Sequence, residues 1–523
     1  MVGSVGANNF ILRCLYWYSV TTSSCYETIE EYANRLHNIE QADHVLRWDS
    51  DVMMPSGGAA ARSAQRATLT KTMYSLRSSD ELGSALESIN EQSLSEEQKA
   101  VVREIGREHD IVSSVPKELN EQLASVTADA HEAWKAAKEA DDWDTFAPMF
   151  EQHIELRKEW AAHVDPDGDP YEVLWKNKLG YTSQPYIDLS TVDEVFARLR
   201  EELPELIREV RNSDVDLATE AFTSRSPYEP EDQKAAFEEI LDLMDMDWSR
   251  ARFDTAPHPF SYGNAYDVRL TTRFDEDDLT SGFSSTMHEF GHTTYHHGLP
   301  QEHYATPLAR ARGLTIHGSQ SGIWENHVGR SQPFWELILP VFREYFPQLE
   351  DISPREAYEA VNQVNDGNLI RTAADELTYN MHVIVRTEIE QALIRDELDV
   401  ADVPQVWADK YEQYLGIRPD SDSDGPLQDP HWSGSIPGFI NYTLGHHVLA
   451  AQVRAAVAEE LEFDELVRDG DFGPIREWMT ENIHQHGQRY KSQELIRRAT
   501  GEELNADHFL DYIENKYRKL YDC

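Results

Sequence analysis

Hydrophobic residues recur along most of this chain at intervals of three and four, the spacing of one buried helix face. The clearest run is Val195, Phe196, Leu199, Leu203, Leu206 and Val210. Ahead of it, Thr191-Val192-Asp193-Glu194 reads as a capping box that would start the helix, and Pro204 predicts a kink within it. The same period predicts helices over residues 28–48, 95–140, 145–163, 231–246, 354–366, 374–395, 402–415, 445–462 and 472–486. Alternation at period two is best developed from Tyr266 to Phe274. There Val268, Leu270, Thr272 and Phe274 alternate with Asp267, Arg269, Thr271 and Arg273, which predicts a strand. Breaker-rich stretches lie near 164–170, 213–230 and 416–438, and no repeat or long low-complexity linker divides the chain. The fold class predicted is mainly α: one large helical unit over residues 26–523 with a small β-sheet.

The composition, 40% hydrophobic and 10% aromatic, supports a packed core. Charge changes the picture more. The 523 residues include 47 basic and 95 acidic ones, a formal net charge of −48, spread along the chain rather than gathered in a tail. A surface so negative repels phosphates, which argues against nucleic acid and anionic membranes as partners. Even acidity of this kind suits a halophilic protein. At 1 M salt the Debye length falls to about 3 Å and self-repulsion is screened. Cys14, Cys25 and Cys523 form no disulfide framework and no Cys-x-x-Cys pair, which fits a reducing, cytoplasmic setting. No apolar run reaches the roughly 18 residues of a membrane span. Phe10 to Val20 is apolar but short, is interrupted by Arg13 and lacks a clear cleavage site. Residues 1–25 are therefore read as a disordered N-terminal extension.

The candidate chemistry centres on His288-Glu289-Phe290-Gly291-His292. Two histidines four apart on a helix share a face, about 5.4 Å from each other along the axis. Both ring nitrogens can then meet one divalent ion, zinc by preference and cobalt as an alternative. Glu289, adjacent to them, is the expected general base toward an activated water. Ser284, Ser285 or Thr286 is the expected cap of this helix, with Gly298 at its end and Pro300 as its stop.

Further segments follow in a fixed order. They are Trp48-Asp49-Ser50-Asp51 near the N-terminus, His258-Pro259-Phe260, Asp267-Val268-Arg269-Leu270-Thr271, His317-Gly318-Ser319-Gln320-Ser321, Trp324-Glu325-Asn326, Ile370-Arg371-Thr372-Ala373-Ala374-Asp375-Glu376 and Gly425-Pro426-Leu427-Gln428-Asp429-Pro430-His431-Trp432. Together with the His-Glu motif they resemble the thermostable carboxypeptidase Taq family of metallocarboxypeptidases, from about residue 26 to the C-terminus. The resemblance implies an α-helical unit with a deep groove and one divalent metal per chain. It also implies removal of C-terminal residues from peptides with broad specificity, and a homodimer. Planar guanidinium groups suit a substrate carboxylate, so Arg269 and Arg371 are candidate clamps, with ion pairing to Asp267 or Asp375 as their structural alternative. His258 and His431 are candidate donors to substrate or oxyanion, or else satisfied buried histidines, and Tyr442 is a further substrate-binding candidate.

Two positions depart from the family pattern. Where the family has His-Glu-Ser, with the glutamate as third metal ligand, this chain has His317-Gly318-Ser319. Glu325 lies about 10.5 Å further along a helix axis, His296 two turns from His288, and His317 about 100° around a helix. None is assigned as third ligand. The first tyrosine of the family's Gly-Tyr-Phe-Pro-Thr-Tyr segment falls on Gly438, while Tyr442 remains. Two alternatives to a metallocarboxypeptidase follow. One is a catalytically impaired peptide-binding paralogue, suggested by Gly318; the other is an oligopeptidase, for which Arg269 and Arg371 would matter little.

Overall fold

The computed structural model describes residues 6–179, 184–365 and 367–523, with side chains from residue 24 onward. Residues 1–5 of the expected N-terminal extension lie outside the described residues, and the first helix, Gly6–Val52, runs through the boundary placed at residue 26. Helices dominate. The predicted strand is β3 (Val268–Thr272), the centre of a three-stranded sheet. It pairs in parallel with β1 (Ala251–Thr255), Ala251 opposite Val268, and antiparallel with β2 (Ser261–Gly263), Tyr262 opposite Arg269. The helix carrying the His-Glu motif, Leu279–Gly298, packs against β3, and Thr272 Oγ1 donates to Gly282 O at 2.9 Å.

Local chemistry moves several boundaries. Asp278, not a serine or threonine at 284–286, caps the His-Glu helix: its carboxylate accepts from the amides of Thr280 and Ser281. The end at Gly298, with Pro300 beyond, is as predicted. The capping box at Thr191 is not formed. That helix starts at Leu189, whose amide donates to Glu172 Oε1 at 3.0 Å, so Thr191 lies inside it. It continues through Pro204 to Arg211 and buries all the predicted apolar positions. The long helix over 95–140 is two, Glu96–Ser114 and Lys117–Ala140, because Pro116 between them has no amide to continue the first.

One continuous hydrophobic core runs from Ala130 to Tyr521. A smaller cluster, including Ile29, Leu36, Leu82, Val101 and Ile105, packs the N-terminal helices together and includes Leu308. Arg312 ties the two regions. Its Nη1 and Nη2 donate to both oxygens of Glu104 at 2.8 and 2.9 Å, and its amide donates to Tyr295 Oη at 2.9 Å on the His-Glu helix. Burial opposes ionisation of Glu104, yet the Arg312 charge and hydrogen bonds hold its carboxyl down at about 2, from an ordinary 4.5.

Because the folded value is depressed, this stabilisation is complete above pH 4.5 and is lost as pH falls toward 2. Glu104→Gln is expected to cost about 3 kcal/mol at pH 7 and much less near pH 2, read as the shift of the urea-unfolding midpoint at each pH.

Candidate metal centre and groove

The His-Glu helix forms one wall of a cavity of about 530 Å³. His288, Glu289, Glu325, Arg330, Arg371, Tyr442 and His446 all line it. The histidines sit as the four-residue spacing predicts: His288 Nε2 and His292 Nε2 are 3.2 Å apart. Two nitrogens bound tetrahedrally to one zinc at about 2.05 Å would be about 3.3 Å apart, so this pair fits a shared ion. His292 Nδ1 and Glu289 Oε2 are buried with no hydrogen-bond partner among the described residues. An orphaned carboxylate oxygen beside two converging imidazoles is what a metal-and-water site leaves when only protein is counted.

Glu289 is 5% exposed. Burial pushes its carboxyl up to about 7; the His288 charge opposes the shift and Glu325 adds to it. A carboxyl tuned there can take and return a proton near neutral pH. Glu325, not assigned a role from sequence, accepts from Ser284 Oγ at 2.8 Å and sits 2.8 Å from His288 Nδ1. It thus orients His288 from behind, leaving Nε2 for the ion. Burial opposes its charge, but the His288 contact, Arg330 and Ser284 hold it well below the usual carboxylate range. His288 loses by burial and gains more from Glu325, so its pKa is raised.

The structure separates the candidate substrate residues. Arg371 reaches the groove. Its Nε and Nη2 both donate to Asp429 at 2.8 Å, and its Nη1 donates to Tyr379 Oη at 2.9 Å. The partner is therefore Asp429, not the expected Asp375, which instead accepts from the amides of Thr378 and Asn365. Arg386 also donates to Asp429 at 2.9 Å, so two guanidinium groups share one carboxylate and leave a net positive charge beside the groove. Arg269 takes its alternative reading. It pairs with Asp267 at 3.0 Å and lies over the Trp48 ring at 4.3 Å, outside this cavity. His258 is exposed and also lies outside the cavity lining. His431 is half-buried and outside the cavity lining, Nδ1 3.3 Å from Asp429 and Nε2 3.3 Å from Tyr442 Oη. Gly438 meets a backbone demand: a Cβ there would stand 2.7 Å from Ser435 O.

Sequence reasoning missed Arg330, Tyr379 and His446. Glu325 and His446 lie on wide, π-type turns, Ile323–Gly329 and Leu444–Leu449, which shift side chains off the ordinary helical period. The adjacent histidines at 446 and 447 were the available signal.

The model of the carboxypeptidase Taq (M32) metallopeptidase family matches residues 28–517. Carboxypeptidase 1 of Bacillus subtilis is 34% identical over 493 residues, 93% of this chain and 97% of that protein. Thermostable carboxypeptidase 1 of Thermus thermophilus is 35% identical over 514 residues, 96% of this chain and all of its own length at 100%. Among solved structures, the M32 carboxypeptidase of Deinococcus radiodurans superposes with a TM-score of 0.90 at 34% identity, covering 96% of this chain and 100% of that one.

Removing the carboxylate behind His288 tests the metal reading. Glu325→Gln is expected to weaken zinc binding by about 10- to 100-fold, measured by competition with a chromophoric chelator.

Proposed function

The chain belongs to the carboxypeptidase Taq (M32) metallopeptidase family and is a metallocarboxypeptidase; from that premise we propose that it trims peptides of broad sequence from their C-termini, with Glu289 as general base. The observation that carries this reading is the orphaned Glu289 carboxylate beside the paired His288 and His292 nitrogens. His288 and His292 would hold a divalent ion, zinc by preference, which supplies a Lewis acid for water and the scissile carbonyl. Glu289 takes the proton of the attacking water and returns it to the leaving amine. Tyr442 lines the groove and would donate to the developing oxyanion.

Arg371 supports the carboxypeptidase direction. Its charge, in excess over the shared Asp429, favours a terminal carboxylate at that end of the groove. We extend the proposal to a homodimer working in the cytoplasm at high salt. The −48 charge, the free Cys25 and Cys523 and the resemblance noted above support it. No helix among the described residues is long and apolar enough to cross a membrane. Gly318 favours a second reading, a peptide-binding relative with impaired catalysis.

Mass spectrometry of mixed peptides in molar KCl separates these readings. Stepwise C-terminal loss with added zinc or cobalt, and none with chelator, is the expected result. Internal cuts would indicate an oligopeptidase, and intact peptides under every metal condition the impaired binder. Glu289→Gln is expected to lower kcat by about 10²- to 10⁴-fold with the metal still bound.

A further inference from the structure

A catalytic zinc ordinarily takes three protein ligands, and the His-Glu motif provides two. Among the described residues no three His, Cys, Asp or Glu side chains already stand at one metal-binding point. The third must therefore come from a side chain that borders the pair and can turn toward it. His317 is turned elsewhere: it stacks flat on His292 at 4.1 Å, and its Nε2 faces His296 Nε2 at 3.4 Å. Glu325 is engaged with His288 Nδ1, on the far side of that ring.

His446 is placed differently. Its ring lies 4.8 Å from that of His288 at 82°, nearly matching the 4.8 Å and 83° between His288 and His292. Imidazoles sharing one tetrahedral zinc through Nε2 have centroids roughly 5 Å apart. Gly318 makes this possible. A Cβ on residue 318 would stand 2.5 Å from His446 Cδ2 and 2.8 Å from its Nε2. The imidazole therefore occupies the volume in which any side chain at 318 would begin. A Cβ on Gly322, one turn later, would collide with His446 O, so the backbone of 446 is also drawn in by glycine.

We propose that His446 is the third protein ligand, so that His288, His292 and His446 hold the ion and the absence of a side chain at Gly318 is what admits it. The inference rests on the metal site of the proposed function. An all-imidazole set brings no negative charge to the ion, and favours zinc, cobalt, nickel or copper over the oxygen-seeking manganese and magnesium.

X-ray absorption on the zinc-loaded wild-type protein counts the imidazoles directly. Three are expected; two, or no bound zinc, would overturn the proposal. His446→Ala is expected to weaken zinc binding at least 100-fold in a chelator competition, with an unchanged circular dichroism spectrum. Affinity within threefold of wild type would overturn it. Should His446→Ala fail to fold, the wild-type count still decides. The double variant Gly318→Glu/His446→Ala, which trades the imidazole for a carboxylate in the vacated volume, is expected to regain most of the affinity. Three imidazoles in a protein that cuts no peptide would leave this assignment standing and remove the peptidase reading.

Discussion

The site depends on backbone-to-backbone contact between three helical segments, which glycine alone permits. A Cβ on Gly291 would lie 2.5 Å from Gln320 O and 2.5 Å from Ser321 Cα, so the His-Glu helix touches the Gly313–Gly322 helix directly. A Cβ on Gly445 would lie 2.7 Å from Thr315 O, so the Leu444–Leu449 turn touches the other side of the same helix. Ordinary helix pairs keep their axes 8–10 Å apart, with side chains between them. Where that layer is missing, groups from separate helices come within reach of one centre. Gly291 lies inside the His-Glu motif itself, so the residue that allows the contact and those that use it are fixed on one turn.

That closeness is electrostatically costly and the surrounding charges answer it. Glu289 is buried and Glu325 half-buried near the two histidines, yet their environments push them apart. Burial raises Glu289, which has no partner for one oxygen, to about 7, while Glu325, held by His288, Arg330 and Ser284, falls. Two carboxyls of one site are thereby driven in opposite directions, which is the separation the proposed roles of base and orienting anion need. Arg371, which also lines the cavity, is held by a shared charge. Asp429 is shared by Arg371 and Arg386, so it fixes two guanidinium groups without neutralising both. The cavity lining thus holds both a carboxyl raised toward neutrality, Glu289, and a guanidinium, Arg371, whose carboxylate partner is shared with a second arginine.

The sequence reveals the parts of this arrangement that are local. Four-residue spacing put His288 and His292 on one face, and alternation found β3, because both signals depend only on neighbours along the chain. Boundaries failed where a distant group decided them: Glu172 meets the amide of Leu189, and Asp278 outcompetes the serines that follow it. Residue placement was hidden for the same reason. Arg269 and Arg371 look alike in sequence, but one is folded onto Trp48 and Asp267 outside the cavity while the other reaches it. Periodicity could not place Glu325 or His446, since a π-type turn breaks the period used to read it.

Gly318 shows how one position can be misread in isolation. Taken alone it is a missing carboxylate, and a two-histidine site should hold metal weakly. In the fold it is the space filled by His446, a residue more than 100 positions away in the chain. A side chain at 318 and the imidazole at 446 in its present position exclude each other sterically, so the two positions are coupled. Either residue 318 projects into the site, or it is bare and 446 does. Loss of a ligand by drift would leave a void or a water-filled gap at 318. Occupation of that volume by a polar, metal-competent ring facing His288 instead fits an exchange of ligands in a site still under use.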